Sequence, residues 1–250
     1  MIGDPLFWAV SVPAVLLAGL GKASGNGVGM LAVPVMALAM SPAVAAAVML
    51  PILIAMDLLG LWVWRGRADT ATLRTVLPGA MLGIAIGALA FFALDVRWVK
   101  AILGAESVAF ALHRIVARHA IAAAPARPPS RWAGGFWGAV SGFTSTLAHA
   151  GSPPLMQYLL PLKLDKERLV ATTVIFFTAV NLAKLPPYAA LGLLDATNLG
   201  ASLALAPLVP VGYWAGLRLV RWLPEAVFYR LLVGSLLLIG VKLLWDAFAG

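Results

Sequence analysis

The chain has 250 residues, 62% of them hydrophobic and 11% charged, with a net charge of +8 and no cysteine. A mean hydropathy of +0.95 excludes a soluble domain of ordinary composition and leaves a polytopic membrane protein. The missing cysteines exclude disulfides, thiolate metal sites and a cysteine nucleophile, and the basic residues fall between apolar runs, where the positive-inside rule explains them without nucleic acid.

In chain order, Leu6 to Leu20 and Met30 to Met40 are apolar runs, each shorter than the roughly 20 residues a helix needs to span a bilayer. Asp4 precedes the first and no basic segment does, so this run reads as structure rather than a cleaved signal. Between the runs lies GLGKASGNGVGMLAVP, Gly19 to Pro34, with Lys22, Ser24, Asn26, Gly27 and Gly29 at its break. The pair is expected to form one broken or re-entrant hairpin. Pro42 to Trp64, Val76 to Leu94 and Trp98 to Ala117 then read as full spans, with Asp57 and Glu106 inside two of them. Glu106 has no matching polar face and reads as structural. Arg118 to Arg131, which contains ARPPSR, reads as a linker.

The second half follows the same plan. A helical run from Trp132 breaks at His149, Gly151, Pro153 and Pro154 and resumes to Leu162. Leu169 to Leu185, Ala196 to Leu217 and Ala226 to Trp245 are the remaining expected spans. Hydrocarbon cannot hydrogen-bond a broken backbone, so each break must be buried in protein or line a wet cavity. Paired breaks in corresponding halves point to a transporter's binding site.

The basic residues decide how the breaks run. If each interrupted stretch returns to its starting side, Arg65, Arg67, Arg74, Arg114, Arg118, Arg127, Arg131, Lys163, Lys166, Arg168, Arg218, Arg221 and Arg230 share one side, against Arg97, Lys100 and Lys242 on the other. If each crosses once, the division is even and carries no orientation signal. The returning arrangement gives an all-α membrane protein of two inverted repeats, 1–117 and 132–250, joined by a cytoplasmic linker at 118–131. Each repeat has one re-entrant or broken hairpin and three transmembrane helices, and both termini lie outside the cytoplasm. Sliding the sequence by 124 positions superposes Trp8 on Trp132, Gly27 on Gly151, Leu31 on Leu155, Asp57 on Asn181 and Trp64 on Tyr188.

The candidate substrate-binding residues follow from polarity at the breaks. A lysine at membrane depth needs a counter-charge, a carbonyl cage or an anionic substrate, which nominates Lys22; a snorkelling lysine is the bland alternative. The second arms begin near Gly29 and Ser152, where free backbone N–H groups favour an anion. Neither break contains the carboxylates a cation would want. Ser145, Thr146, His149, Gly151 and Ser152 supply donors in the second break, although serine and threonine in membrane helices commonly bond their own backbone. Thr173, Phe177, Asn181 and Lys184 share one face of the next helix by spacing; Lys184 alternatively caps a helix end before Pro186 and Pro187. Asp57 could pair with Lys22 or Lys184. His149 and Asp57 are also the candidates for a coupling proton.

GLGKASGNGVGMLAVP, SPAVAAAVMLPILIAMDLLGLW, GFTSTLAHAGSPPLMQYLLP and TTVIFFTAVNLAKLPPYAALG resemble the TauE/SafE sulfite exporter family, bacterial membrane proteins with duplicated halves and glycine-rich segments. The resemblance covers nearly the whole chain. It implies movement of sulfite, sulfonates or other sulfur-containing or organic anions across the cytoplasmic (inner) membrane. The expected function is a secondary transporter, acting as an exporter. No cofactor is expected, no P-loop points to ATP, and a small anion and the lipid bilayer are the expected partners; a homodimer is compatible with the sequence. The competing classes are an intramembrane enzyme using His149 with a serine, and a non-transporting scaffold.

Overall fold

The structure, a computed structural model, describes residues 2–24, 28–123, 128–222 and 225–249. The first half comprises α1 (Pro5–Ser24), a 3-10 turn (Val28–Leu31), α2 (Ala32–Met36), α3 (Pro42–Trp64), α4 (Thr70–Ala93) and α5 (Val96–Ala123). The second comprises α6 (Arg131–Ala148), α7 (Ser152–Leu159) with a 3-10 turn at Leu160–Leu162, α8 (Lys166–Ala183) and α9 (Leu185–Ala190), α10 (Ala196–Leu205) and α11 (Leu208–Trp222), and α12 (Glu225–Phe248). The all-α expectation is borne out among the described residues. Among the described residues, four helical stretches are long and apolar enough to cross a membrane: Pro5–Ala23, Pro42–Trp64, Thr70–Phe91 and Glu167–Ala190. A bent pair, Ala196–Leu205 with Leu208–Gly216, makes a fifth if taken as one span.

Side-chain caps set several helix starts. Ser41, Asp69, Ser130, Asp165 and Asp195 each accept a hydrogen bond from the backbone N–H three residues on, satisfying donors that have no intrahelical partner. The Asp69 cap explains why α4 begins at Thr70, before the apolar run expected from Val76. Three expectations are corrected. The first arm is not short: α1 continues through Lys22 to Ser24 because the lysine charge finds a buried partner and need not leave the helix. The expected single span Ala196 to Leu217 is two helices meeting at 51°, since Pro207 has no N–H to continue the ladder and its ring crowds the carbonyl of the preceding turn, while Ala206 itself keeps a helical backbone. Finally, α5 runs to Ala123, so the expected linker is helical over its first residues.

The core is built on α3, whose Ala45–Ile52 segment is wholly or almost wholly buried apart from Pro51, packed against α8. Around this pair α4 packs along α6, α1 along α11, and α5 along α12. Large apolar side chains point outward, among them Trp132 at 91% and Leu203 at 75% exposure. In water such a surface would aggregate; against lipid it is the expected outer face.

Glycine makes the three flanking contacts possible. Gly138 and Gly142 of α6 lie on the α4 backbone at Val76 and Ala80, Gly79 and Gly83 of α4 lie on the α6 backbone, and a Cβ at Gly216 of α11 would stand 2.6 Å from the Leu20 Cα of α1. Small residues at four-residue spacing allow such close approach, and van der Waals contact replaces the hydrophobic effect that lipid removes. Gly142→Val is therefore expected to force α4 and α6 apart and to cost about 1–3 kcal/mol, seen as a lower unfolding temperature in detergent. Gly135→Val, where no atom lies near the added carbon, should leave that temperature nearly unchanged.

Candidate functional site

α6 stops at His149, which adopts a left-handed backbone with φ of 53°. A non-glycine residue in that region carries strain and persists only where its surroundings impose it. Here they do. The His149 N–H donates to the Ser145 carbonyl at 2.9 Å. Its ring spans α3 and α8: Nε2 lies 2.9 Å from the Ala46 carbonyl and Nδ1 lies 2.6 Å from Lys184 Nζ. A carbonyl can only accept, so Nε2 carries the hydrogen and Nδ1 accepts from the lysine. The break is further fixed by Ser141 Oγ donating to the Gly151 carbonyl at 2.6 Å and Thr144 Oγ1 donating to the Ala150 carbonyl at 3.1 Å.

Lys184 is fully buried. Besides His149 it donates to the Ser145 carbonyl and to Ser145 Oγ, each at 3.1 Å, so an ammonium there has all three hydrogens placed. It is not the interfacial cap that Pro186 and Pro187 suggested. Lys22 pairs with Asp57, and the second oxygen of Asp57 accepts from Asn181 Nδ2 at 2.6 Å. The Lys22 ammonium also lies 5.2 Å from the centre of the Phe177 ring, within cation–π range. Of the two partners foreseen for Asp57, Lys22 is the one it contacts.

A cavity with about 60 Å³ open to water lies between the two breaks and α8. That is room for a few waters or a small oxyanion. Of the expected residues, Lys22, Gly29, Ser145, His149, Ser152, Thr173 and Asn181 line it. Four others stand back. Lys184 sits behind Ser145 and His149, and Asp57 behind Lys22 and Asn181. Thr146 bonds the Gly142 carbonyl at 2.8 Å and gives its own carbonyl to the Tyr188 hydroxyl at 2.6 Å, while Gly151 is packed on Ser141. Ser24 is the last residue of α1; Asn26 and Gly27 lie outside the described residues. The N-terminus of α7 offers fewer backbone donors than its position suggests, because Pro153 and Pro154 carry no N–H.

Several lining residues were missed: Ala18 and Gly21, which share a face of α1 with Lys22, and Val170 and Val174, which complete the α8 face carrying Thr173, Phe177 and Asn181. The signal was helical spacing, obscured because apolar and glycine positions look the same at a site wall as in a helix contact. No group of histidines, cysteines or carboxylates suited to a metal ion occurs among the described residues.

Residues 11–243 match the protein family described as Sulfite exporter TauE/SafE. No curated protein and no solved structure matches the chain. The chain therefore belongs to the TauE/SafE sulfite exporter family, as its motifs suggested, and is a multi-pass membrane protein of a transporter family.

Proposed function

We propose that this chain is a secondary transporter that exports a small sulfur-containing or organic anion, such as sulfite or a sulfonate, across the cytoplasmic membrane. The anion binds between the two helix breaks. The observation that carries the reading is the cavity there, with Lys22 on its wall beside Ser145, Ser152, Thr173 and His149. Lys22 is already matched by Asp57, so binding requires the anion to share or displace that carboxylate. Export needs no nucleotide, because an inside-negative potential drives an anion outward by about 2.3 kcal/mol per charge per 100 mV.

The inverted repeat belongs to the same proposal. Exchanging the halves converts the α1–α11 contact into the α6–α4 contact and leaves α3–α8 and α5–α12 as they are. Asp57 and Asn181, equivalent under the 124-residue slide, hydrogen-bond to each other, which supports this reading because positions beside a two-fold axis meet their equivalents. In this arrangement both termini lie outside the cytoplasm and 118–131 lies within it. Because the chain has no cysteine, single cysteines can be labelled without background. Cysteines at positions 3 and 249 should react with an impermeant maleimide from outside and one at 128 only after permeabilisation; reaction of position 128 in intact cells would overturn the topology.

The transport test is flux in proteoliposomes with an imposed potential, comparing labelled sulfite, a sulfonate and a carboxylate of similar size. Potential-dependent sulfite or sulfonate flux above protein-free vesicles is expected. Flux of none of the three would overturn the proposed substrate class, and flux of the carboxylate alone would remove sulfite and sulfonates from it.

A further inference from the structure

Glu106 lies midway along α5, and both of its carboxyl oxygens are buried without a hydrogen-bond partner. No other carboxyl among the described residues is buried in this way. The two groups first considered for carrying a proton are both engaged: Asp57 by Lys22 and Asn181, and His149 by the Ala46 carbonyl and Lys184. A carboxylate can only accept hydrogen bonds, and burying one with no donor is among the costliest arrangements a protein can hold. A carboxylic acid has a hydrogen of its own to give.

Its neighbour is on the helix that ends at the site. Thr144 of α6 lies beside the Glu106 carboxyl, but its hydroxyl hydrogen is directed to backbone carbonyls, that of Ala150 at 3.1 Å and that of Ser141 at 3.4 Å. The lone pairs of Thr144 Oγ1 remain to accept from a protonated Glu106. Thr144 also clasps the break, since its carbonyl accepts from the Ala150 N–H at 3.4 Å, and the segment between them carries Ser145 and His149 on the cavity wall. Among the described residues no charged group pairs with Glu106: on the neighbouring elements Asp57 of α3 and His149 of α6 are held as above, Lys242 and Asp246 of α12 pair with each other, and His113 lies two turns further along α5 itself.

We propose that Glu106 is a proton-binding site whose loading and release are coupled, through Thr144 and the His149 break, to anion transport. A proton from one side converts the carboxylate to the acid, whose O–H donates to Thr144 Oγ1. Release to the other side returns the carboxylate, which pulls on the Thr144 hydroxyl and competes with the Ala150 carbonyl. This rests on the transport reading above and adds its coupling ion.

Two measurements test it. Infrared spectra of the wild-type protein in vesicles, across acidic to alkaline pH, are expected to show a carboxylic-acid C=O band that is lost at high pH and is absent from Glu106→Gln. This arm needs neither substrate nor flux. In the second, sulfite accumulation is followed at zero membrane potential under an imposed pH gradient. With one proton moved per anion the wild-type ratio should change by about tenfold per pH unit; Glu106→Gln should respond to neither sign of gradient while retaining sulfite exchange between equal concentrations. A band that is missing or that never titrates overturns the proposal, as does an unchanged gradient response in Glu106→Gln. If wild-type vesicles exchange no sulfite at all, the substrate reading fails separately, and the infrared arm still decides whether Glu106 exchanges a proton.

Discussion

Lys22→Ala is expected to abolish anion binding and also to destabilise the protein strongly, whereas Lys22→Ala combined with Asp57→Asn should restore stability without restoring binding. The reason is that Lys22 is not a free cation awaiting substrate. Its partner Asp57 is almost wholly buried, and beyond Lys22 the Asn181 amide is the carboxylate's hydrogen-bond donor among the described residues. Removing one member of a buried ion pair strands the other, at a cost of about 3–5 kcal/mol. Of the needs that the sequence leaves open for Lys22, a counter-charge is the one the structure meets, so the variant is not a clean loss of affinity in a folded protein. Asp57→Asn alone should act in the opposite sense on binding, because it frees the ammonium from its internal competitor while leaving an amide able to bond Asn181. Unfolding temperature in detergent and equilibrium binding of sulfite, measured on all three variants, separate the two effects. Single and double variants of equal stability, or an Asp57→Asn protein that binds sulfite more weakly than wild type, would show that the pair does not work this way.

The parts of this site that the sequence disclosed were those that violate a membrane rule. A lysine, a carboxylate, a histidine and two glycine-containing breaks in apolar surroundings each demand an explanation, and the structure gathers them into two hydrogen-bonded sets, Lys22 with Asp57 and Asn181 and Lys184 with His149 and Ser145, around one cavity. Partner choice was not legible, because Lys22 and Lys184 are equivalent on paper as counter-ions for Asp57 and only packing separates them. The glycine contacts could have been read from the four-residue spacing of Gly134, Gly138 and Gly142, or of Gly79, Gly83 and Gly87, but attention to glycine as a breaker hid glycine as a contact surface. The bend at Ala206 was signalled by Pro207, yet Pro13, Pro51 and Pro78 sit inside continuous helices. A proline in an apolar run therefore leaves the outcome to the neighbours that can satisfy the carbonyl it frees.

The same reasoning gives Lys184 the largest purely structural effect in the protein. Lys184→Met keeps the length and apolar stem but removes three hydrogen bonds at once, to the Ser145 carbonyl, Ser145 Oγ and His149 Nδ1. Each buried acceptor left without a donor costs roughly 1–3 kcal/mol, although the Ser145 carbonyl keeps the His149 N–H and so loses least. A total of about 3–5 kcal/mol corresponds to a fall in unfolding temperature on the order of 10 °C for a chain of this size. Arginine should not rescue it, because a planar fork of five donors does not fit a space shaped for one ammonium with three acceptors. The damage should also reach the cavity: with Nδ1 released, the ring keeps one hydrogen bond among the described residues, to the Ala46 carbonyl, and the strained His149 backbone is freer to relax away from the wall. Lys184→Met is thus expected to lose transport together with stability, whereas the Lys22/Asp57 double variant loses transport alone. A Lys184→Met protein as stable as wild type but unable to bind sulfite would instead place Lys184 among the groups that the anion contacts directly, and would require the cavity to open past Ser145 during transport.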